Sequence, residues 1–427
     1  MAEQVEEERA APKRRLFRIL GPGLIAGASD DDPSGIATYS QVGAQFGFAM
    51  SWVMLFSFPL MAAIQEISAR IGRCTGRGIA DNIRRRYPPA LLYGIVALVL
   101  AANTVNLGAD LGAMADALRL LAGGPRLVYV VGFGALCAAL EIFMQYRRYA
   151  NLLKWSSLAL FTYVATAFVV SVSWTEVLHA TFVPSISLDS RYIVGIVAVF
   201  GTTISPYLFF WQSSLEAEDE RIDPQARPLV VAPRQARVEL QRIRVDTYIG
   251  MFFSNLIGWF IIVTVAATLH AHGITDIASS AEAAEALRPI GGPLTFALFA
   301  LGIIGTGMLA VPVLAGSAAY VLGEALQWPA GLARRPNEAK AFYAAIAAAT
   351  AVGVALNFTP VDPIKALFWS AVLNGIVAVP VMVVTMLMAQ HARVMGRFTL
   401  PLRLIILGWL ATAVMTVVVA AMFITSF

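Results

Sequence analysis

Two proline-centred breaks interrupt long apolar stretches, and they constrain the fold more than any other feature of this sequence. The first is Asp30-Asp31-Asp32-Pro33-Ser34-Gly35, set between 16–29 and 36–50. The second is Gly201-Thr202-Thr203-Ile204-Ser205-Pro206-Tyr207, set between 192–200 and 208–211. Proline lacks a backbone donor and clashes with the preceding turn, so each break stops or kinks a helix. Inside hydrocarbon the freed N–H and C=O groups need partners. Unwound backbone is therefore tolerated only where it lines protein or a watery cavity. Paired broken helices in matching halves of a chain point to a midplane substrate site in a secondary transporter. The two prolines lie 173 residues apart, room for five spans.

Composition places the chain in a bilayer. Hydrophobic residues make up 58% of it and charged residues 14%, against about 25% charged in soluble domains. Apolar segments of about 20 residues read as membrane helices. Eleven are expected, at 17–47 (broken), 49–71, 90–121, 127–144, 152–173, 191–215 (broken), 245–270, 291–324, 340–357, 364–390 and 400–426. Residues 1–16 read as a cytoplasmic tail with no removable signal peptide. Residues 17–173 form a first five-helix repeat and 174–190 an extracellular loop. Residues 191–390 form a second, inverted repeat, with 216–244 as a cytoplasmic loop, and 400–427 add an eleventh helix. The expected fold is thus all-α and integral to the membrane, with an inverted 5+5 repeat of the amino acid–polyamine–cation transporter type.

With the N-terminus inside, all but five of the 31 Lys and Arg fall on the cytoplasmic side. The five outside are Arg119, Arg126, Arg191, Arg288 and Lys365. That asymmetry predicts a multi-pass plasma-membrane protein with a cytoplasmic N-terminus and an extracytoplasmic C-terminus. The net charge of +4 follows from topology. The basic residues are dispersed over separate loops and include Lys13, Arg14, Arg15, Arg18, Arg147 and Arg148, so nucleic-acid binding is not expected. Neither Cys74 nor Cys137 suggests a disulfide framework or a metal site. His270 and His272 read as two solvated loop residues. No phosphate-binding loop or dinucleotide fingerprint occurs, which argues against an ATP-driven pump or an enzyme.

The breaks carry the chemistry. Asp32 with freed carbonyls is a ligand set for a hard divalent cation such as Mg²⁺, Ca²⁺ or Mn²⁺. The second break adds the hydroxyls of Thr202, Thr203, Ser205 and Tyr207, with no Cys, His or Met beside Pro206. Acidic residues inside an apolar run are costly and functional by default. Asp30 and Asp31 are placed either at the site or in an aqueous vestibule. Asn103, Asn106 and Asp110 are the polar positions of the third span. Glu66 and Arg70 read as an i,i+4 pair. Glu141 and Glu324 are expected to be wetted, as are Glu216, Glu218, Asp219 and Glu220. Ser370 and Asn374 are candidates to face the site from the tenth span.

These strings resemble the Nramp family of metal transporters. The resemblance rests on Gly21-Pro22-Gly23, Asp32-Pro33-Ser34-Gly35, Ala37-Thr38 and Gly43-Ala44-Gln45-Phe46-Gly47 in the first helix. Gln65, Ser68-Ala69-Arg70, Gly72 and Thr75-Gly76-Arg77-Gly78 continue it, as do Pro206, Ser213-Ser214-Leu215 and Asp362-Pro363-Ile364-Lys365. Ordinary members carry Asp-Pro-Gly-Asn in the first break and Met-Pro-His in the sixth helix. Here Gly35 replaces the Asn, Ser205 the Met and Tyr207 the His. The pattern is similar to the Nramp-related magnesium transporters. The resemblance implies alternating-access transport of Mg²⁺, with Mn²⁺ as a further candidate substrate, as a partly hydrated ion, with weak or absent proton coupling. It implies a metal site of Asp32, Ser34, Gly35, Thr202, Thr203, Ser205 and Tyr207, with Asp31 and Asn374 as further candidates. The cation is substrate, and no cofactor is implied. The partners expected are that cation and the lipid bilayer, and the number of copies is left open, a single chain being compatible. Two rivals stay open, a proton-coupled Mn²⁺ or Fe²⁺ importer and a small-solute transporter on the same scaffold. A channel or a non-transporting sensor is a third class.

Overall fold

The computed structural model describes residues 22–144, 160–277, 280–360 and 362–426. The tail expected at 1–16, Gly21, Arg147, Arg148 and residues 152–159 of the fifth span lie outside them. The first apolar stretch is split into α1 (Pro22–Asp30) and α2 (Pro33–Phe46), with Asp31 and Asp32 as the non-helical link. A 3₁₀ turn leads to α3 (Ser51–Thr75), followed by α4 (Ile79–Arg86), α5 (Pro89–Ala122) and α6 (Arg126–Phe143). Then come α7 (Phe161–Val169) and α8 (Trp174–Phe182), the second an α-helix inside the loop expected at 174–190. The second broken helix is α9 (Ser190–Thr203) and α10 (Pro206–Ile222), parted at Ile204 and Ser205. The remaining elements are α11 (Ala236–Thr268), α12 (Ser280–Glu285), α13 (Arg288–Gly291), α14 (Thr295–Leu326), α15 (Lys340–Leu356), α16 (Pro363–Gln390), α17 (Ala392–Met395) and α18 (Leu402–Ser426).

Among the described residues eight continuous stretches are long and apolar enough to span a membrane. One of them, Pro33–Thr75, holds both the second half of the broken first helix and the next span. The broken α9–α10 stretch is the most buried of the eight, at 94% of its apolar window, whereas α18 is 33% buried. A helix apolar all round and sequestered from lipid belongs in the centre of the bundle; one that stays exposed belongs at its rim.

Close backbone contacts fix the broken helices in that centre. A Cβ on Gly27 of α1 would lie 2.3 Å from the Gly250 carbonyl carbon of α11. A Cβ on Gly201 of α9 would lie 1.9 Å from the Ala371 carbonyl oxygen of α16. Small residues at such crossings are how membrane helices gain packing without a hydrophobic driving force.

The acidic run after the second break corrects the sequence reading. Residues 216–222 continue α10 and α11 begins at Ala236, so the expected 216–244 loop shrinks to 223–235. Glu216, Glu218 and Glu220 are buried rather than wetted. Glu216 pairs with Arg242, and Glu220 with Arg73 at 3.6 Å. Glu218 accepts from Tyr320 Oη and from the amides of Leu332 and Ala333. Partners recruited from distant segments make burial of these carboxylates tolerable. Glu141 is buried too, with Oε1 unpartnered beside α14. Glu324 is half-buried and bonded to Ser214 Oγ and the Asp81 amide. Glu66 and Arg70 form the expected pair, at 2.7 Å.

Candidate metal-ion site

Each break is built by the same local rule. An extended residue precedes a proline, and the proline occupies the first helical turn, where its missing N–H costs nothing. Asp32 is the N-cap of α2, its Oδ1 accepting from the Gly35 amide at 2.7 Å. Ser205 is the N-cap residue of α10, with its side chain turned backward. Its hydroxyl lies 2.8 Å from both the Gly201 and the Thr202 carbonyl oxygens, spanning the break.

Asp32 is the meeting point of four segments and is 2% exposed. Its Oδ2 accepts from Asn106 Nδ2 of α5 at 3.0 Å. Tyr207 Oη of α10 lies 3.5 Å from the same oxygen and donates to the Ser29 carbonyl at 3.1 Å. Ser370 of α16 lies 2.7 Å from Asn106 Oδ1 and 3.4 Å from Ser34 Oγ. The run Ser370, Asn106, Asp32 therefore pairs donors with acceptors when the Asn106 amide nitrogen faces an ionised Asp32; that amide orientation is assigned from the network. A neutral amide here can position the carboxylate but cannot hold a proton for it.

The nine sequence candidates divide. Gly35 and Tyr207 meet Asp32 directly, whereas Ser205 lies at the second break and turns its hydroxyl to carbonyls of its own segment. Ser34 is adjacent but turns its hydroxyl toward the Leu367 carbonyl of α16, 3.3 Å away. Thr203 Oγ1 donates to the Val199 carbonyl of its own helix, which ties the hydroxyl to that turn while leaving its oxygen lone pairs unused. Thr202 Oγ1 is the nearest atom to a Cβ built on Gly35, at 3.1 Å, with the Asp30 carbonyl oxygen at 3.2 Å. The space beside Gly35 is thus bounded by oxygen. Asn374 is buried with Oδ1 unpartnered, and its neighbour Gly375 packs on Gly201, next to Thr202. Asp31 turns with Asp30 toward Ser254 of α11. Both are buried in this conformation and face protein instead of an open vestibule.

Two residues of α5 belong to the site although they were absent from the expected ligand set. Asn106 touches Asp32 directly. Asp110, one turn on, is fully buried with neither carboxylate oxygen hydrogen-bonded, within electrostatic reach of Asp32. Their i,i+4 spacing was the available signal, since it puts both on one helix face. Asn103 instead reaches the Leu314 carbonyl, 3.4 Å away. His270 and His272 do not act together, since their Nδ1 atoms meet the separate carbonyls of Ala44 and Thr268. Cys74 and Cys137 are free and buried. Among the described residues no three His, Cys, Asp or Glu side chains form a metal cluster. Any ion at the breaks would therefore rely on carbonyl, hydroxyl and amide oxygens beside one or two carboxylates, which suits a hard cation.

Two discontinuous helices crossing at a buried, oxygen-rich centre of an all-helical membrane bundle define the inverted-repeat class of membrane transporters. The solved structures agree on the fold. A manganese transporter from Eremococcus coleocola superposes with a TM-score of 0.75 over 96% of this chain and 88% of its own, at 15% identity. MhsT in complex with L-phenylalanine superposes with a TM-score of 0.63 over 95% and 98%, at 12% identity. The family model described as natural resistance-associated macrophage protein-like matches residues 23–425, and the chain belongs to this Nramp family. Divalent metal cation transporters MntH are its relatives, 28% identical in Deinococcus radiodurans and 27% in Verminephrobacter eiseniae. The first alignment covers 69% of this chain and 66% of the relative, the second 71% and 68%. The chain thus spans about two thirds of the length of these relatives.

Proposed function

We propose that this protein transports divalent metal cations by alternating access, with Mg²⁺ as its principal substrate and little or no proton coupling. The observation that carries the reading is the contact set of Asp32. It consists of the Gly35 amide, the Asn106 amide and the Tyr207 hydroxyl. Thioether and imidazole, which favour later transition metals, are missing from it. Mg²⁺ gives up water reluctantly and keeps several waters when bound. A site of one charged ligand among hydroxyls and carbonyls suits such an ion. Asp110 adds a second carboxyl group nearby. Ser205 and Tyr207 hold the break through carbonyls, so movement of α1 against α10 would open or close the oxygen set.

Asn106 supports weak proton coupling, with Asp110 the remaining titratable group on that face of α5. Asn106 occupies the position from which a titratable group would exchange a proton with Asp32, and its amide has none to exchange. The family membership and the names of the MntH relatives support divalent metal transport in general. The test is tracer uptake of Mg²⁺ into liposomes holding the purified protein. Saturable uptake, absent from empty liposomes, is expected; the absence of saturable flux for Mg²⁺ and Mn²⁺ alike contradicts transport.

A further inference from the structure

Residues 246, 250, 254 and 258 of α11 recur every fourth position and so share one face. Asp246 accepts from the amides of Gly23 and Leu24, at 2.7 and 3.2 Å, holding the start of α1. Gly250 meets Gly27 backbone to backbone. Ser254 meets Asp30 and Asp31 at the end of α1. A Cβ on Gly258 would lie 2.8 Å from the ring of Tyr39 of α2. One stripe of α11 therefore touches Asp30, Asp31 and the ring of Tyr39, whose hydroxyl lies within electrostatic reach of both carboxyl groups beside the first break.

The polar atoms there are not balanced. Ser254 Oγ lies 2.6 Å from Asp30 Oδ2 and 3.2 Å from Asp31 Oδ1. A hydroxyl has one hydrogen, so it serves one carboxylate at a time. Asp30 Oδ1 is buried with no hydrogen-bond partner. Tyr39 Oη is fully buried outside hydrogen-bond geometry, with Thr202 close by. No ion pair among the described residues involves Asp30 or Asp31. Two adjacent buried carboxylates without a counter-charge are costly. Protons or a cation can relieve that cost, and a divalent cation that displaces the protons compensates both carboxylates at once.

We propose that Asp30, Asp31, Ser254 and Tyr39 form a second divalent-cation position, on the α1 side of the break and distinct from Asp32. It takes the same class of hard cation as the first, so the inference rests on the transport reading above.

The test is equilibrium dialysis of the purified full-length chain, counting Mg²⁺ and, separately, Mn²⁺ bound per molecule. The wild type is expected to bind two ions. Asp30→Asn with Asp31→Asn is expected to bind one, with the remaining affinity within about threefold of the tighter wild-type site. Ser254→Ala keeps both carboxylates and should weaken the second ion about tenfold, the effect of losing one polar contact. One ion per wild-type chain overturns the proposal, as do two ions of unchanged affinity in the double variant. If the double variant fails to elute as a folded monodisperse species, Ser254→Ala decides, and an unchanged second affinity overturns the proposal. Two Mn²⁺ bound with no Mg²⁺ supports the second position and overturns only the Mg²⁺ assignment.

Discussion

Asp32→Asn separates the two tasks that Asp32 performs. As N-cap of α2 it accepts from the Gly35 amide, and Asn caps helices about as well as Asp. On its other oxygen it accepts from Asn106 Nδ2. An Asn there that keeps the cap presents its own NH₂ to that donor, which costs about 1–2 kcal/mol of stability through one unmade buried hydrogen bond. The loss in ion binding is larger. At about 4 Å and an effective dielectric of about 20, two unit charges attract by about 4 kcal/mol, so a divalent ion loses about 8 kcal/mol of attraction. If desolvation cancels half, about 4 kcal/mol remains, or about 10³ in Kd. Asp32→Ala loses the cap as well, about 1 kcal/mol more in stability, with no better binding. The assay is metal titration of purified variants beside thermal unfolding. Affinity of Asp32→Asn within threefold of wild type, in a protein that melts normally, would refute the reasoning.

Ser205→Met places a thioether at the second break and releases the Gly201 and Thr202 carbonyls from the serine hydroxyl; competition binding should show the Mn²⁺ to Mg²⁺ affinity ratio rising at least tenfold. Arg242→Ala strands the fully buried Glu216 carboxylate and should destabilise the fold by about 3 kcal/mol, read by thermal unfolding, whereas a change below about 1 kcal/mol would mean water already serves Glu216. Gly201→Ala sets a methyl 1.9 Å from the Ala371 carbonyl oxygen; it should abolish a monodisperse folded species on size exclusion, and normal yield would contradict the α9–α16 contact.

The span pattern was legible because an apolar period long enough for a bilayer is a strong signal, and the breaks because Asp-Pro and Ser-Pro follow capping rules. Asp362 illustrates the same rule again, capping α16 through the Ile364 and Lys365 amides ahead of Pro363. The polar interior was less legible. Glu216, Glu218 and Glu220 look like a solvated run because their partners Arg242, Tyr320 and Arg73 are contributed by other helices. Asp32 could be singled out by its neighbours in sequence, but its link to Asn106 crosses 74 positions and its link to Tyr207 crosses 175. Asp30 and Asp31 lack the proline that follows Asp32, and their sequence neighbours do not say which way they face. Helical geometry turns them toward Ser254, a serine with no distinguishing local context.

The most direct measurement is uptake of Mg²⁺ and of Mn²⁺ into proteoliposomes with internal pH recorded at the same time. The account predicts saturable Mg²⁺ uptake that exceeds Mn²⁺ uptake, with no internal acidification. Mn²⁺ uptake with acidification and no Mg²⁺ flux would contradict it and establish a proton-coupled manganese importer.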